Sequence, residues 1–352
     1  MTDDVLISVD RGVGRLRLNR PKAIHALTTQ MCEAMSAALL KWRDDPSVEV
    51  VVIDHAEGRG FCAGGDVVML ARSGNEDAEE AKRFFFAEYR LNQLLFAYDK
   101  PTVAVMDGIT MGGGVGISLP CEFRIATQNT RLAMPETGIG LFPDVGGGWY
   151  LSRLPGRVGQ FMALTGARLD GAECLYLQLA THYVEQSGIE ELVERIIKAP
   201  ARAKGALGAA SSAAPDARIE PNLPQISRLF ASDRLEDVLA VLDADETDWA
   251  DSELATLKTK SPLSCKVSLR LLAEGATRAS FADEMRAEYA LAGRVVRTHD
   301  FREGVRALLI DKDNAPVWDP ATPEEVTDEM LDVLFEPLPP SEQWTPFPEV
   351  AE

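Results

Sequence analysis

Two runs of aliphatic and β-branched residues, VEVVVIDH (48–55) and PTVAVMD (101–107), are apolar over most of their length instead of alternating with polar positions. Short continuous runs of this kind predict strands buried on both faces. Each gives way to a glycine cluster, GRGFCAGGDV (58–67) and MDGITMGGGVGIS (106–118), and then to an apolar stretch with helical spacing. Upstream, VGRLRLN (13–19) reads as a short strand and residues 28–42 as a helix. The segment 76–99, EDAEEAKRFFFAEYRLNQLLFAYD, predicts a longer helix in which Phe84, Glu88, Leu91 and Leu95 share one stripe. An acid on that stripe is out of place, whereas Glu79 and Glu80 are expected to face solvent.

Repetition of strand, turn and helix makes residues 1–200 an α/β core. Residues 201–225 are rich in Ala, Ser and Pro with little hydrophobic pattern, the composition of a linker. Helical spacing of Ile, Leu, Val and Phe returns at 226–242 and 281–310, so 226–318 is expected to be a helical C-terminal region. The tail, 319–352, is acidic and contains prolines, and is expected to wrap loosely over the body.

The chain has 352 residues, 46% of them hydrophobic, enough for a sizeable core. It has no apolar run near 18 residues, so no membrane span is expected. The opening MTDDVLISVD lacks an apolar signal core and an organellar leader pattern, which points to the cytoplasm. Five widely spaced cysteines favour free thiols, and the four histidines show no metal-binding spacing, so neither a disulfide framework nor a metal is expected. A formal charge of −19 speaks against nucleic acid, because phosphate binding draws on a surplus of Lys and Arg.

Candidate chemistry centres on MPETGIGLFPDVGGG (134–148), where Glu136 and Asp144 stand eight residues apart among apolar and glycine neighbours. A carboxyl group in such surroundings is either hydrogen-bonded or holds its proton to raised pH, and both states suit acid–base work. The two glycine corners permit positive φ and close approach to the backbone, and each begins a helix with unpaired N–H groups. Placed side by side, they would aim two amides at one oxygen, the arrangement that stabilises an oxyanion. Neither corner has the spacing of a phosphate-binding P-loop or a dinucleotide fingerprint. Cys62, beside the first corner, has no histidine partner indicated by the sequence.

The segments NRPKAIHAL (19–27), GRGFCAGGD (58–66), EYRLNQLLFAYDKPTVAVMDGITMGGGVGIS (88–118), MPETGIGLFPDVGGGWYLSRLPG (134–156) and HDFREGVRALLIDKDNAPVW (299–318) together resemble the crotonase, or enoyl-CoA hydratase/isomerase, superfamily. Within it, FPDVGG, the EYRL helix and LIDKD resemble the 3-hydroxyisobutyryl-CoA hydrolase branch. The resemblance implies an α/β fold, a ClpP-like spiral of β-β-α units, and hydrolysis of a short 3-hydroxyacyl-CoA thioester to the free acid and coenzyme A. It places the oxyanion amides on Gly65 and Gly113, with Gly64 and Gly114 as their nearest competitors and Asp66 beside them in the substrate site. It makes Glu136 and Asp144 catalytic and has Glu88 contact the acyl group. Lys22, with Arg20, would help bind the nucleotide end. No cofactor is implied, coenzyme A being part of the substrate, and a homo-oligomer, trimer or hexamer, is the expected assembly. Valine degradation is the pathway the resemblance implies. Hydratases of the superfamily carry a second glutamate where this chain has Gly116, a departure that disfavours the alternative of an enoyl-CoA hydratase/isomerase. A non-catalytic or RNA-binding homologue fits the acidic balance and the intact carboxyl set less well still.

Overall fold

The computed structural model describes residues 2–348. Its centre is a six-stranded sheet in the order β1 (Val5–Asp10), β2 (Val13–Leu18), β3 (Val50–His55), β5 (Thr102–Met106), β7 (Phe123–Ala126) and β10 (His182–Tyr183). Only the β1–β2 pair is antiparallel. A second, smaller sheet holds β4 (Gly60–Cys62), β6 (Ile109–Met111), β8 (Arg131–Ala133) and β9 (Leu169–Asp170), the first three parallel. Each of β3, β5 and β7 leads directly into a short strand of the second sheet. The chain therefore winds as a spiral of strand pairs, each closed by a helix or a turn.

Both faces of β3 and β5 are covered, which is why these strands do not alternate with polar residues. Leu16, Leu18, Val51, Ile53, Ala104 and Met106 point into the main core. Their neighbours Val13, Val50, Val52, Val103, Val105 and Ile125 pack outward against Leu192 and Ile196 of helix Ile189–Lys198 and Ala203 and Leu207 of helix Ala203–Ala210. The stretch expected as a linker thus contains a helix that seals the sheet. Its alanines are strong helix formers, and Leu207 supplies an anchor that composition does not reveal. Burying a leucine in this way contributes about 1.5–3 kcal/mol.

Helix α1 (Thr29–Arg43) packs on α3 (Glu79–Phe96), which α2 (Val67–Gly74) joins to the first glycine corner. The C-terminal helices share the main core. Pro262–Gly275 packs on α5 (Gly147–Ser152), Phe281–Val295 on α3, and His299–Val305 on α2 and on the turn after Glu136. The tail as far as residue 348 holds more firmly than expected, and 349–352 lie outside the described residues. Trp344 is fully buried and its indole N–H donates to the Phe86 carbonyl oxygen of α3 at 3.3 Å. Arg90 of the same helix lies between the rings of Phe86 and Phe347. Among the described residues, no helix is long and apolar enough to cross a membrane.

Candidate active site

The spiral dictates where the site forms. Because β4, β6 and β8 are hydrogen-bonded neighbours running the same way, the corners that follow them lie side by side. Those corners carry Gly64 and Gly65, Gly112 and Gly113, and Glu136, so segments far apart in sequence meet. A Cβ placed on Gly112 would lie 3.2 Å from Glu136 Oε1 and 3.3 Å from Gly64 Cα. Gly112 has φ +48° and Gly64 φ +112°, both in the left-handed region that side chains avoid.

The amide directions follow from local bonding. Leu27 N–H donates to the Gly64 carbonyl at 2.7 Å and Asp66 N–H donates to the Leu27 carbonyl at 3.1 Å. This bridge turns the N–H of Gly65, the residue between them, away from Leu27, and it meets no acceptor among the described residues. Gly113 opens α4 (Gly113–Gly116), so its N–H has no acceptor within the helix. Gly114 has a packing task instead. A Cβ there would collide with the Cys62 carbonyl oxygen and lie 2.9 Å from Cys62 Cβ.

Three carboxyl groups surround these corners, and all are buried: Glu88 (2% exposed), Glu136 (5%) and Asp144 (5%). Glu88 Oε1 and Glu136 Oε2 have no hydrogen-bond partner among the described residues. A Cβ on Gly113 would collide with Glu88 Oε1, which places that acid against the second corner. Asp144 differs, because Oδ2 accepts a 2.8 Å hydrogen bond from the Tyr89 hydroxyl. Burial pushes Asp144 up to about 6, with the Tyr89 bond holding it down. Glu88 and Glu136 are raised well above the ordinary range, first by burial and then by the charge on Asp144. Asp144 accordingly ionises first as pH rises, and its charge keeps protons on the other two.

The Asp144 loop is held from behind. Glu288 on helix Phe281–Val295 accepts from Gly146 N–H at 2.8 Å and Gly148 N–H at 3.2 Å, at the start of α5. Sequence periodicity did not single out Tyr89, Asn92 or Glu288. Glu288 was open to the argument used for Glu88, since Glu284 and Glu288 interrupt the buried stripe of Phe281, Leu291 and Val295. Tyr89 and Asn92 lie in α3 beside Glu88, but only the fold shows what they face.

Other candidates lie at the margin. Asp66 caps α2 by accepting from Met69 N–H at 3.3 Å and pairs with Arg20 at 3.0 Å, so both its oxygens have structural partners. Arg20 also donates to the Ala26 carbonyl. Lys22 is exposed on the turn Pro21–Ala23. His25 is structural: Nδ1 accepts from Arg20 N–H at 2.9 Å and Nε2 donates to the Glu57 carbonyl at 2.8 Å. The Cys62 thiol is buried and pushed up to about 12, a state unsuited to nucleophilic attack.

Strand pairs wound in this spiral, with glycine corners side by side, define the crotonase architecture. A sequence model of the family described as enoyl-CoA hydratase/isomerase matches residues 13–335, and the chain belongs to that family. The mitochondrial 3-hydroxyisobutyryl-CoA hydrolase of Gallus gallus is 41% identical over 344 residues, covering 95% of this chain and 89% of its own. The Homo sapiens protein of the same name is 38% identical over 346 residues, covering 96% and 89%. Among solved structures, a carnitinyl-CoA dehydratase from Mycobacterium thermoresistibile superimposes with a TM-score of 0.92 at 40% identity, covering 96% of this chain and 98% of that one. An enoyl-CoA hydratase from Rhodobacter sphaeroides 2.4.1 gives 0.90 at 38% identity, covering 97% and 100%.

Proposed function

We propose that this protein hydrolyses a short 3-hydroxyacyl-CoA thioester, foremost 3-hydroxyisobutyryl-CoA, to the free acid and coenzyme A. The observation that carries the reading is a buried carboxyl, Glu136, with one oxygen that has no partner among the described residues, beside two amides that find no acceptor among them. The thioester oxygen sits between the N–H groups of Gly65 and Gly113, where negative charge grows as the carbonyl carbon is attacked. Glu136 delivers the nucleophile, either by taking a proton from water or by attacking as a carboxylate. Asp144, ionised at neutral pH, receives the proton that Glu136 gives up, so the pair carries one negative charge until attack passes that charge to the thioester oxygen. The C–S bond then breaks, the sulfur leaving as the thiol with the proton held on Asp144, and where Glu136 has attacked, water hydrolyses the resulting anhydride to the free acid and Glu136. Glu88 lines the acyl end.

Hydration of an enoyl-CoA is the second reading, favoured by the similarity to the enoyl-CoA hydratase of Rhodobacter sphaeroides 2.4.1. Against it stands the space at Gly116, one turn beyond Gly113. A Cβ there would lie 2.6 Å from Val145 Cβ and 2.9 Å from Asn92 Nδ2, which leaves no room for a second acid. The two readings separate on products. With 3-hydroxyisobutyryl-CoA, a thiol reagent is expected to register free coenzyme A at the rate the ester disappears. With crotonyl-CoA, the ultraviolet absorbance of the conjugated enoyl thioester is expected to persist. Loss of that absorbance without thiol release would establish the hydratase instead.

The acid limb of the rate profile tests the proton route. Tyr89→Phe removes the hydrogen bond that favours ionised Asp144, so the pKa of Asp144 rises above about 6. The half-maximal pH of kcat/KM should move up by about one unit, with rates at pH 9 within about threefold of wild type. An unmoved limb would remove Asp144 from the route.

A further inference from the structure

Asn92 is fully buried on α3, and neither its Oδ1 nor its Nδ2 has a hydrogen-bond partner among the described residues. Both ends of a carboxamide left unsatisfied in an apolar interior are costly and uncommon. Its position is specific. Glu88 and Asn92 lie four residues apart on one face of α3, and Gly113 and Gly116 lie three apart on one face of α4. Glu88 Oε1 stands against Gly113, while Asn92 Nδ2 stands 2.9 Å from where a Cβ on Gly116 would be. The carboxamide therefore lies one turn, about 4.5 Å, further along α4 than the Gly113 amide. Val145 closes the same end, directly after Asp144.

We infer that Asn92 recognises the hydroxyl two carbons from the thioester carbonyl and so selects 3-hydroxyacyl groups over their unsubstituted counterparts. This rests on the acyl-CoA reading above. With the carbonyl oxygen at Gly65 and Gly113, the hydroxyl of a 3-hydroxyacyl arm reaches the Gly116 level. A hydroxyl both donates and accepts, which is what the two free ends of a carboxamide require. Glu88 Oε1 stands one turn nearer the carbonyl, against Gly113, so the Gly116 level falls to Asn92. An acyl group without the hydroxyl would leave the carboxamide unpaired, the situation in which polar sites discriminate most strongly.

The test compares 3-hydroxyisobutyryl-CoA with isobutyryl-CoA, the same skeleton lacking the hydroxyl, in wild type, Asn92→Leu and Asn92→Ala. Wild type is expected to favour the hydroxylated ester by roughly 100-fold in kcat/KM. Asn92→Leu should lose at least about 30-fold on that ester, change less than about threefold on isobutyryl-CoA, and melt at the same temperature as wild type or higher, because an unsatisfied amide has been removed. Asn92→Ala should show the same collapse of preference, whatever its stability. A purely structural asparagine predicts equal losses on both esters and a lower melting temperature, and that result would overturn the inference. Calorimetric binding of the two esters to Glu136→Gln protein, with and without Asn92→Leu, separates the two levels of the argument. A hydroxyl preference in binding that Asn92→Leu erases supports the role of Asn92 even where wild type releases no thiol, which would sink only the hydrolase reading. No binding preference at all would refute Asn92.

Discussion

Glu136→Gln is expected to lower kcat at least about 10³-fold while the protein still folds and binds acyl-CoA. General base catalysis by a positioned side chain contributes about 10²- to 10⁴-fold, and loss of an attacking carboxylate costs as much or more. Glutamine keeps the shape of the side chain but neither takes up a proton nor attacks. Stability supplies an independent sign. Folded Glu136 holds its proton well above the ordinary range, so the folded state binds more protons than the unfolded chain from about pH 4.3 up to that raised value. Its contribution to stability is complete below that window and declines as pH rises through it. Glutamine has no such decline. The melting temperature of Glu136→Gln relative to wild type should therefore increase between pH 5 and pH 8. Turnover within tenfold of wild type on 3-hydroxyisobutyryl-CoA would remove Glu136 from the reaction, and a pH-independent melting difference would show that its burial is less complete in solution.

Much of this arrangement is legible in the chain because it is local. The unbroken apolar runs at β3 and β5 and the glycine clusters after them announce strand, corner and helix within some twenty residues. Glu88 betrays itself by breaking the stripe of α3. Partnership across the fold is not legible. Tyr89 donates to an aspartate 55 residues away, and periodicity assigns it a face without naming what lies opposite. Glu288 breaks a buried stripe as Glu88 does, but the sequence does not say that it accepts the two amides that hold the Asp144 loop. The alanine-rich stretch after residue 200 misleads for the converse reason. Alanine offers little hydrophobic contrast, so the helix Ala203–Ala210 declares itself only once the outer face of the sheet needs covering. Asp66 shows that position near a site is weaker evidence than bonding, since its oxygens serve a helix cap and an ion pair.

Gly114→Ala is expected to lower kcat/KM by about 10²- to 10³-fold without touching any group that reacts. The added Cβ would collide with the Cys62 carbonyl oxygen and lie 2.9 Å from Cys62 Cβ. The carbonyl belongs to the backbone of β4, which is paired with β6, so it cannot rotate aside as a flexible side chain would. The start of α4 must instead move away from the first corner, by roughly 1 Å to regain ordinary contact. Gly113 is the residue before Gly114, and its amide moves with the helix while Gly65 stays with β4. Two donors that converged on one oxygen would then no longer do so. Loss of one such donor costs about 10²- to 10³-fold, and a displacement of this size at a reacting centre costs about 10²-fold. The loss should appear mainly in kcat, since the charge these amides stabilise develops only as the carbonyl is attacked. A loss below tenfold, with the coenzyme A ester bound as in wild type, would mean that the reaction does not depend on the two corners meeting at one oxygen.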